Sequence, residues 1–574
     1  MKPVTPGTRK HPPQSTKTVV STSMSFLEDI FARLERAAEA TVLEEIRQGR
    51  ITGVNGGELL EQVARARMFL ATLRLKRGDR CALYANNGVD WVAIDLAAMA
   101  EGLTVVPLYA RQAPAELVAM MKDCSPALIC CGDAGLRDAI TAQWAEAPPR
   151  FLFDDIFAIA SSAVGSAGQA EMADSDPVTL IYTSGTSGEA KGVVLNAGNI
   201  GHMLACVGDQ LDLLMAGNSG RDRVFHYLPF VFAGSWMLLL TSLLRGSLLT
   251  MNTDLTKIAQ DMRTVAPDYF LNVPALLERM RRAVDEQLWQ AGGLVQGIYR
   301  RAKSAWTRRH EGRPKWRDAI WLWLANSAIF PTIRKKMIGR NLRALICGSA
   351  PLSVDTQLFF LMLGIPVLQS YGLTETTAIC TLDDPRDYEP GRVGRAIPGI
   401  EMKLGESEEI LIRGPNIFPG YWERPGETAK ALRDGWFHTG DQGEVDGSGN
   451  WRIVGRIKNL IILGSGHNVA PEPIEEKLLT RLPGANQVVL VGNGKGYLSA
   501  IVTGNATPGQ LQAAIRAVNS ELPHYKQVRA FHVRSEPFTI ENGLLTANGK
   551  LKRDWIAQHM REEIEEMYRV KVAV

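Results

Sequence analysis

Apolar residues recur at helical spacing where the pattern of the chain first becomes readable. Phe26, Ile30 and Leu34 lie four apart, the stripe expected of one helix face, and helix is predicted from Ser25 to about Arg47. Residues 58–76 carry a second helical pattern. Short apolar runs then alternate with helical stretches. Strands are predicted at 81–85, 104–109 and 127–131, with helices at 91–101 and 114–122 between and after them. That alternation predicts an α/β fold with a largely parallel sheet. Near residue 400 the texture changes. Residues 401–414 and 450–463 read as short, turn-separated β structure. Beyond Arg456, strands at 487–492 and 498–504 and helices at 508–521 and 551–567 outline a small module. The predicted fold class is α/β plus α+β. A large N-terminal body of stacked α/β sheets with a β-rich subdomain spans 25–455. A small mobile α+β lid spans 456–574. Residues 1–24 are expected to be a disordered extension.

Composition narrows the class. A hydrophobic fraction of 45% with 22% charged residues is that of an ordinary globular chain. The net charge of +3 lacks the basic stripe that a nucleic-acid partner requires. Seven cysteines, none spaced as CxxC, suggest neither a disulfide framework nor zinc, and read as buried thiols of a cytoplasmic protein. Residues 1–24 have charge and proline but no apolar centre, unlike a signal peptide. No run reaches the roughly 20 apolar residues that span a bilayer.

The sharpest local signal lies at 178–192. An apolar run from Val178 to Tyr182 leads into Thr183, Ser184, Gly185, Thr186, Ser187 and Gly188, then Lys191 and Gly192. Glycines let backbone N–H groups converge, hydroxyls add donors and a lysine adds charge, so the loop suits a polyphosphate. It is not a Walker A sequence. A plain Ser/Gly surface turn would not need the strand before it, the lysine within it and the apolar run after it.

TSGTSGEAKG resembles the signature of the adenylate-forming superfamily, which includes acyl-CoA synthetases, luciferases and peptide-synthetase adenylation domains. Ala190 stands where the usual version has proline. Further segments follow in the family's order, and the resemblance covers roughly residues 50–570. It implies ATP, Mg²⁺ and coenzyme A. It implies that Gly348, Ser349 and Ala350 pack on adenine, that Tyr371 stacks on the ring beside Gly372, and that Thr374 reaches the α-phosphate. Glu375 would hold Mg²⁺, Asp441 would accept the ribose hydroxyls and Arg456 would contact the ribose side. Lys458 would be the hinge of the lid. The turn containing Gly466 would line the pantetheine path in the second half-reaction. Lys550 would swing in to neutralise carboxylate and α-phosphate, and with Thr183 and Glu375 it forms the expected catalytic set.

Within the superfamily the chain is most similar to long-chain fatty acyl-CoA synthetases, on GHNVAPEPIE at 466–475 and EPFTIENGLLT at 536–546. The implied activity is an AMP-forming fatty acid–CoA ligase. Two alternatives are a fatty acyl-AMP ligase serving an acyl carrier protein and a non-catalytic nucleotide or lipid binder. Phe230, Val231, Phe232, Gly234 and Trp236 are the expected acyl-pocket residues. Residues 300–340 carry twelve Lys/Arg, two carboxylates and four tryptophans. They read either as peripheral membrane contact on anionic lipid or as an amphipathic helix packed on the body.

Overall fold

The computed structural model describes residues 25–158, 170–184, 190–216, 221–290, 292–339, 341–546 and 549–569. Two large sheets build the body. One has six strands in the spatial order 150–152, 128–131, 80–85, 104–109, 177–184 and 190–196. Its neighbours are parallel, except that 190–196 returns antiparallel along 177–184. The other has nine strands with a parallel centre and antiparallel edges. Helices such as Val89–Ala100, buried along almost their whole length, separate the layers. One apolar core joins Leu83, Trp91, Ile200, Phe230 and Trp236. Parallel sheets need cover on both faces, which explains the unbroken apolar runs at 81–85 and 104–109.

The predicted helix 25–47 is corrected. Helix stops at Arg36, and strands Thr41–Arg47 and Arg50–Asn55 pair as a hairpin. Gln48 (φ 52°) and Gly49 (φ 78°) supply the two successive positive φ values of a tight hairpin turn. Val42 and Ile46 extend the four-residue spacing of the helix by coincidence. Pairing of their strand with Leu248–Asn252 decides against helix.

Residues 401–456 form a five-stranded antiparallel sheet. The C-terminal module has a three-stranded sheet, 485–491, 498–504 and 528–534. Its two apolar cores, from Ile461 to Met567, share no residue with those of the body. The expected helix at 551–567 is two helices, Arg553–His559 and Arg561–Arg569. The module meets the body through Lys552 Nζ to Glu116 Oε1 at 3.2 Å and Arg282 Nη1 to the Ala485 carbonyl at 3.4 Å.

Candidate active site

The carboxyl ends of strands 177–184, 344–347 and 367–371 bring Thr183, Gly348 and Gly372 to the wall of one cleft of about 2480 Å³, closed over by the C-terminal module. Ligands of open α/β sheets bind at such strand ends. The volume exceeds the few hundred to 1,000 Å³ of ordinary ligand pockets, leaving room for more than one substrate.

Thr183 and Lys191 face each other across the strand pair and line the cleft. Lys191 is ion-paired to Glu427, and its ammonium lies 5.3 Å from the centre of the Tyr421 ring. The Ser184 side chain and Gly185, Thr186, Ser187 and Gly188 lie outside the described residues.

Gly348 and Ser349 line the cleft, whereas Ala350 is exposed away from its wall. Gly372 is required by close approach: a Cβ there would stand 2.2 Å from the Ala378 carbonyl oxygen. The chain can then turn straight into the short helix Thr374–Thr376, which presents Thr374 and Glu375 to the cleft. The Tyr421 hydroxyl donates to Glu375 Oε1 at 2.9 Å.

Beneath these residues Asp441 is buried and holds two partners. Tyr371 Oη donates to its Oδ2 at 2.8 Å, and Arg456 Nε reaches its Oδ1 at 2.8 Å. Burial, with Asp441 beside it, holds the Tyr371 hydroxyl well above the usual phenol range. Neither Tyr371 nor Asp441 is on the cleft wall, although Arg456 and Lys458 are. Tyr371, expected to stack on adenine, is a buried ring hydrogen-bonded through its hydroxyl. A carboxylate has about four acceptor positions, so Asp441 retains capacity for a further donor. Burial, then the Arg456 charge, pushes Lys458 down to about 8.

Lys550 enters from the far end of the chain. Its N–H donates to Thr546 Oγ1 at 3.0 Å, its carbonyl accepts from Thr546 N at 2.8 Å, and Gly549 adopts φ 76°. The side chain projects into the cleft, where water still reaches it. Burial pushes its ammonium down to about 8. Arg456 acts in the same direction, and Asp441 and Glu375 act against it. The turn at Gly464–Gly466 is exposed and off the cleft wall.

Of the expected acyl-pocket residues, Phe232 and Gly234 line the cleft, with Met237, Leu238, Val207 and Leu211 beside them. Phe230, Val231 and Trp236 do not. Phe230 packs in the core against Trp91, with ring centres 5.1 Å apart. Trp236 is buried with its Nε1–H donating to Asp95 Oδ2 at 2.8 Å. An indole N–H in a core needs an acceptor, and Asp95 supplies it from the helix Val89–Ala100. Burial raises Asp95 to about 7.

Tyr421, Glu427, Glu116 and Lys552 are absent from the sequence-based site. The one local signal for Tyr421 is the aromatic cluster Phe418, Tyr421 and Trp422 in the loop before the helix Pro425–Ala431. The others carry no local signal.

A body of two stacked, largely parallel sheets, an antiparallel subdomain and a small α+β lid that brings a lysine into the shared cleft define an adenylate-forming enzyme. Sequence comparison agrees: residues 31–422 match the AMP-binding enzyme family and residues 458–571 match the AMP-binding enzyme C-terminal domain. The chain belongs to the AMP-binding enzyme family. Among curated relatives, the long-chain-fatty-acid–CoA ligase FadD15 of Mycobacterium bovis is 26% identical, over 92% of this chain and 94% of the relative. The human long-chain-fatty-acid–CoA ligase 6 is 27% identical over 85% and 78%. ATP-bound MatB from Rhodopseudomonas palustris shares the fold with a TM-score of 0.71 at 22% identity, covering 94% of this chain and all of that one. The adenylation domain of a carboxylate reductase from Mycobacterium chelonae gives 0.76 at 20% identity, covering 96% and 92%. Among the described residues no helix is long and apolar enough to cross a membrane.

Proposed function

We propose that this protein is an AMP-forming fatty acid–CoA ligase. A fatty carboxylate oxygen attacks the α-phosphorus of ATP, the α–β phosphoanhydride bond breaks, and acyl-AMP and pyrophosphate form. The CoA sulfur then attacks the acyl carbonyl, the bond to AMP breaks, the thiol proton leaves, and acyl-CoA and AMP result. The observation that carries this reading is Lys550. A lid lysine stands in the same cleft as Thr183, Thr374 and Glu375 and senses the Glu375 and Asp441 carboxylates. A lysine there neutralises two approaching anions, a positioning and electrostatic task.

Among the described residues no group of three or more His, Cys, Asp or Glu could hold a metal alone. Glu375, with one oxygen bonded to Tyr421, is a single carboxylate donor at the cleft wall. That donor set fits Mg²⁺, which takes one or two protein carboxylates and completes its shell with phosphate oxygens and water. The ion would supply charge neutralisation at the triphosphate.

In this reading the lid begins at residue 456 and pivots at Lys458. With Lys550 inside and the Gly464–Gly466 turn outside, the lid stands in the orientation for adenylation. Rotation would exchange them and admit CoA. The ribose would bind at Arg456, which lines the cleft and holds Asp441 behind it. The apolar arm at Phe232, Gly234, Met237 and Leu238 suits an alkyl chain, and the names of the curated relatives point to the same substrate class.

The test is AMP release from ATP over saturated acids from butyrate to eicosanoate, with CoA, with a phosphopantetheinylated carrier protein, or with neither. AMP and acyl-CoA should appear with long acids and CoA. Acyl transfer to carrier protein alone would make the chain an acyl-AMP ligase, and release of neither pyrophosphate nor AMP with any acid would refute adenylation.

A further inference from the structure

The helical segment between Gly293 and Met337 takes no part in the cleft, and its surface is unlike the rest of the body. Helix Gly293–His310 packs against the short helix Asp318–Leu324 and its continuation through Ala325–Ile329, and the chain runs on as helix to Met337. The inner side is apolar: Tyr299, Ala302, Ala325 and Phe330 are buried in a core shared with Ile258 and Leu276, which also line the cleft. The outer side exposes Trp316 (76%), Ile320 (51%) and Trp323 (67%). Ile320 and Trp323, three apart in the helix Asp318–Leu324, share one face, and Trp316 is exposed in the turn that leads into it. Exposed large apolar side chains gathered so closely mark an interaction site.

Charge selects the partner. Exposed cations flank these residues along the chain: Arg309, Arg313, Lys315 and Arg317 before the helix and Lys335 and Lys336 after it. The Arg317 guanidinium lies 4.9 Å from the Trp316 ring centre, and Arg301 lies 4.8 Å from that of Trp321. The two carboxylates of the stretch do not offset this charge outward. Asp318 is buried, paired to Arg308 and bonded by the Lys315 N–H at 2.8 Å, which leaves Glu311. Aromatic residues settle at the headgroup level of a bilayer, and nearby cations are drawn to anionic lipid. We infer that the exposed surface of Trp316, Ile320 and Trp323, with the arginines and lysines that flank it, docks the protein on the surface of an anionic lipid bilayer.

Co-sedimentation of the full chain with vesicles tests this without reference to turnover, so it stands apart from the proposed reaction. Wild type should pellet with phosphatidylglycerol-containing vesicles and stay in solution with phosphatidylcholine vesicles. The triple variants W316S/I320S/W323S and R313E/K315E/R317E should each lower the partition coefficient about tenfold or more, with unchanged thermal unfolding. All seven cysteines are buried, so I320C can carry a single polarity-sensitive dye, whose emission should shift to the blue on anionic vesicles alone. Wild type that ignores anionic vesicles, charge-reversed protein that binds as well as wild type, or a dye that does not shift would overturn the inference. A wild-type dimer broken by W316S/I320S/W323S, without vesicle binding, would assign the face to a second copy instead.

Discussion

The Tyr421 hydroxyl donates to Glu375 Oε1 at 2.9 Å, linking a loop of the antiparallel subdomain to the strand end that faces the cleft. The bond fixes the carboxylate's orientation and directs its second oxygen elsewhere. Groups that orient a metal-binding carboxylate are worth about 10–100-fold in metal affinity or activity. Tyr421→Phe should therefore raise the Mg²⁺ concentration needed for half-maximal pyrophosphate release about tenfold. Saturating Mg²⁺ should largely restore the rate. A uniform loss at every Mg²⁺ concentration would place Tyr421 in packing alone.

Lys550 predicts a pH dependence. Its ammonium is pushed down to about 8, chiefly by burial. The protonated form is the one that neutralises anions, so kcat/KM for adenylation should hold below pH 8 and fall as pH rises through it. Burial pushes Lys458 down to about 8 as well, so the profile alone does not separate them. Lys550→Arg, which stays charged, should remove Lys550's share of the alkaline fall. Lys550→Ala should slow adenylation about 100–1,000-fold while thioester formation from preformed acyl-AMP survives. Equal loss of both half-reactions would contradict the role.

Much of this site is legible because its parts are contiguous motifs at strand ends, where local sequence and function coincide. The strand at 104–109 follows from its own apolar run, whereas Gly372 is named by the family resemblance and its need for glycine appears only in the close approach of Ala378. What escapes the sequence is set by distant partners. The strand Thr41–Arg47 continues a helical spacing, and only Leu248–Asn252 makes it a strand. Trp236 reads as a pocket residue because the family resemblance places the acyl pocket at this stretch. Only Asp95, 141 positions away, shows that its indole turns into the core. Glu427 and Glu116 are ordinary surface carboxylates in sequence, and folding alone brings them to Lys191 and Lys552.

Gly234 predicts how acyl length is read. A Cβ at this position would meet nothing closer than Leu271 Cδ2 at 3.8 Å and Ala378 Cβ at 4.0 Å, so the backbone tolerates a side chain and the cleft loses the space. Each buried methylene contributes about 0.8 kcal/mol, roughly fourfold in kcat/KM. Gly234→Leu should shift preference to acids about three or four carbons shorter, leaving the KM for ATP unchanged. An unaltered acyl profile would place the alkyl chain elsewhere in the cleft.

Lys552 and Glu116 join lid to body at 3.2 Å, two residues along the chain from Lys550. The pair is accessible to water, and exposed ion pairs contribute only about 0.2–1 kcal/mol. Even so, if the lid alternates between two orientations, a bond made in only one of them shifts their ratio, by up to about fivefold at the upper end. Lys552→Ala should slow adenylation by no more than that, and thioester formation from preformed acyl-AMP should be unchanged or slightly faster. Glu116→Ala should do the same. The double variant should be no slower than either single one, because one interaction is removed once. High salt should erase the difference from wild type, since screening weakens an exposed pair. Parallel slowing of both half-reactions would show that the contact serves folding of the lid rather than its orientation.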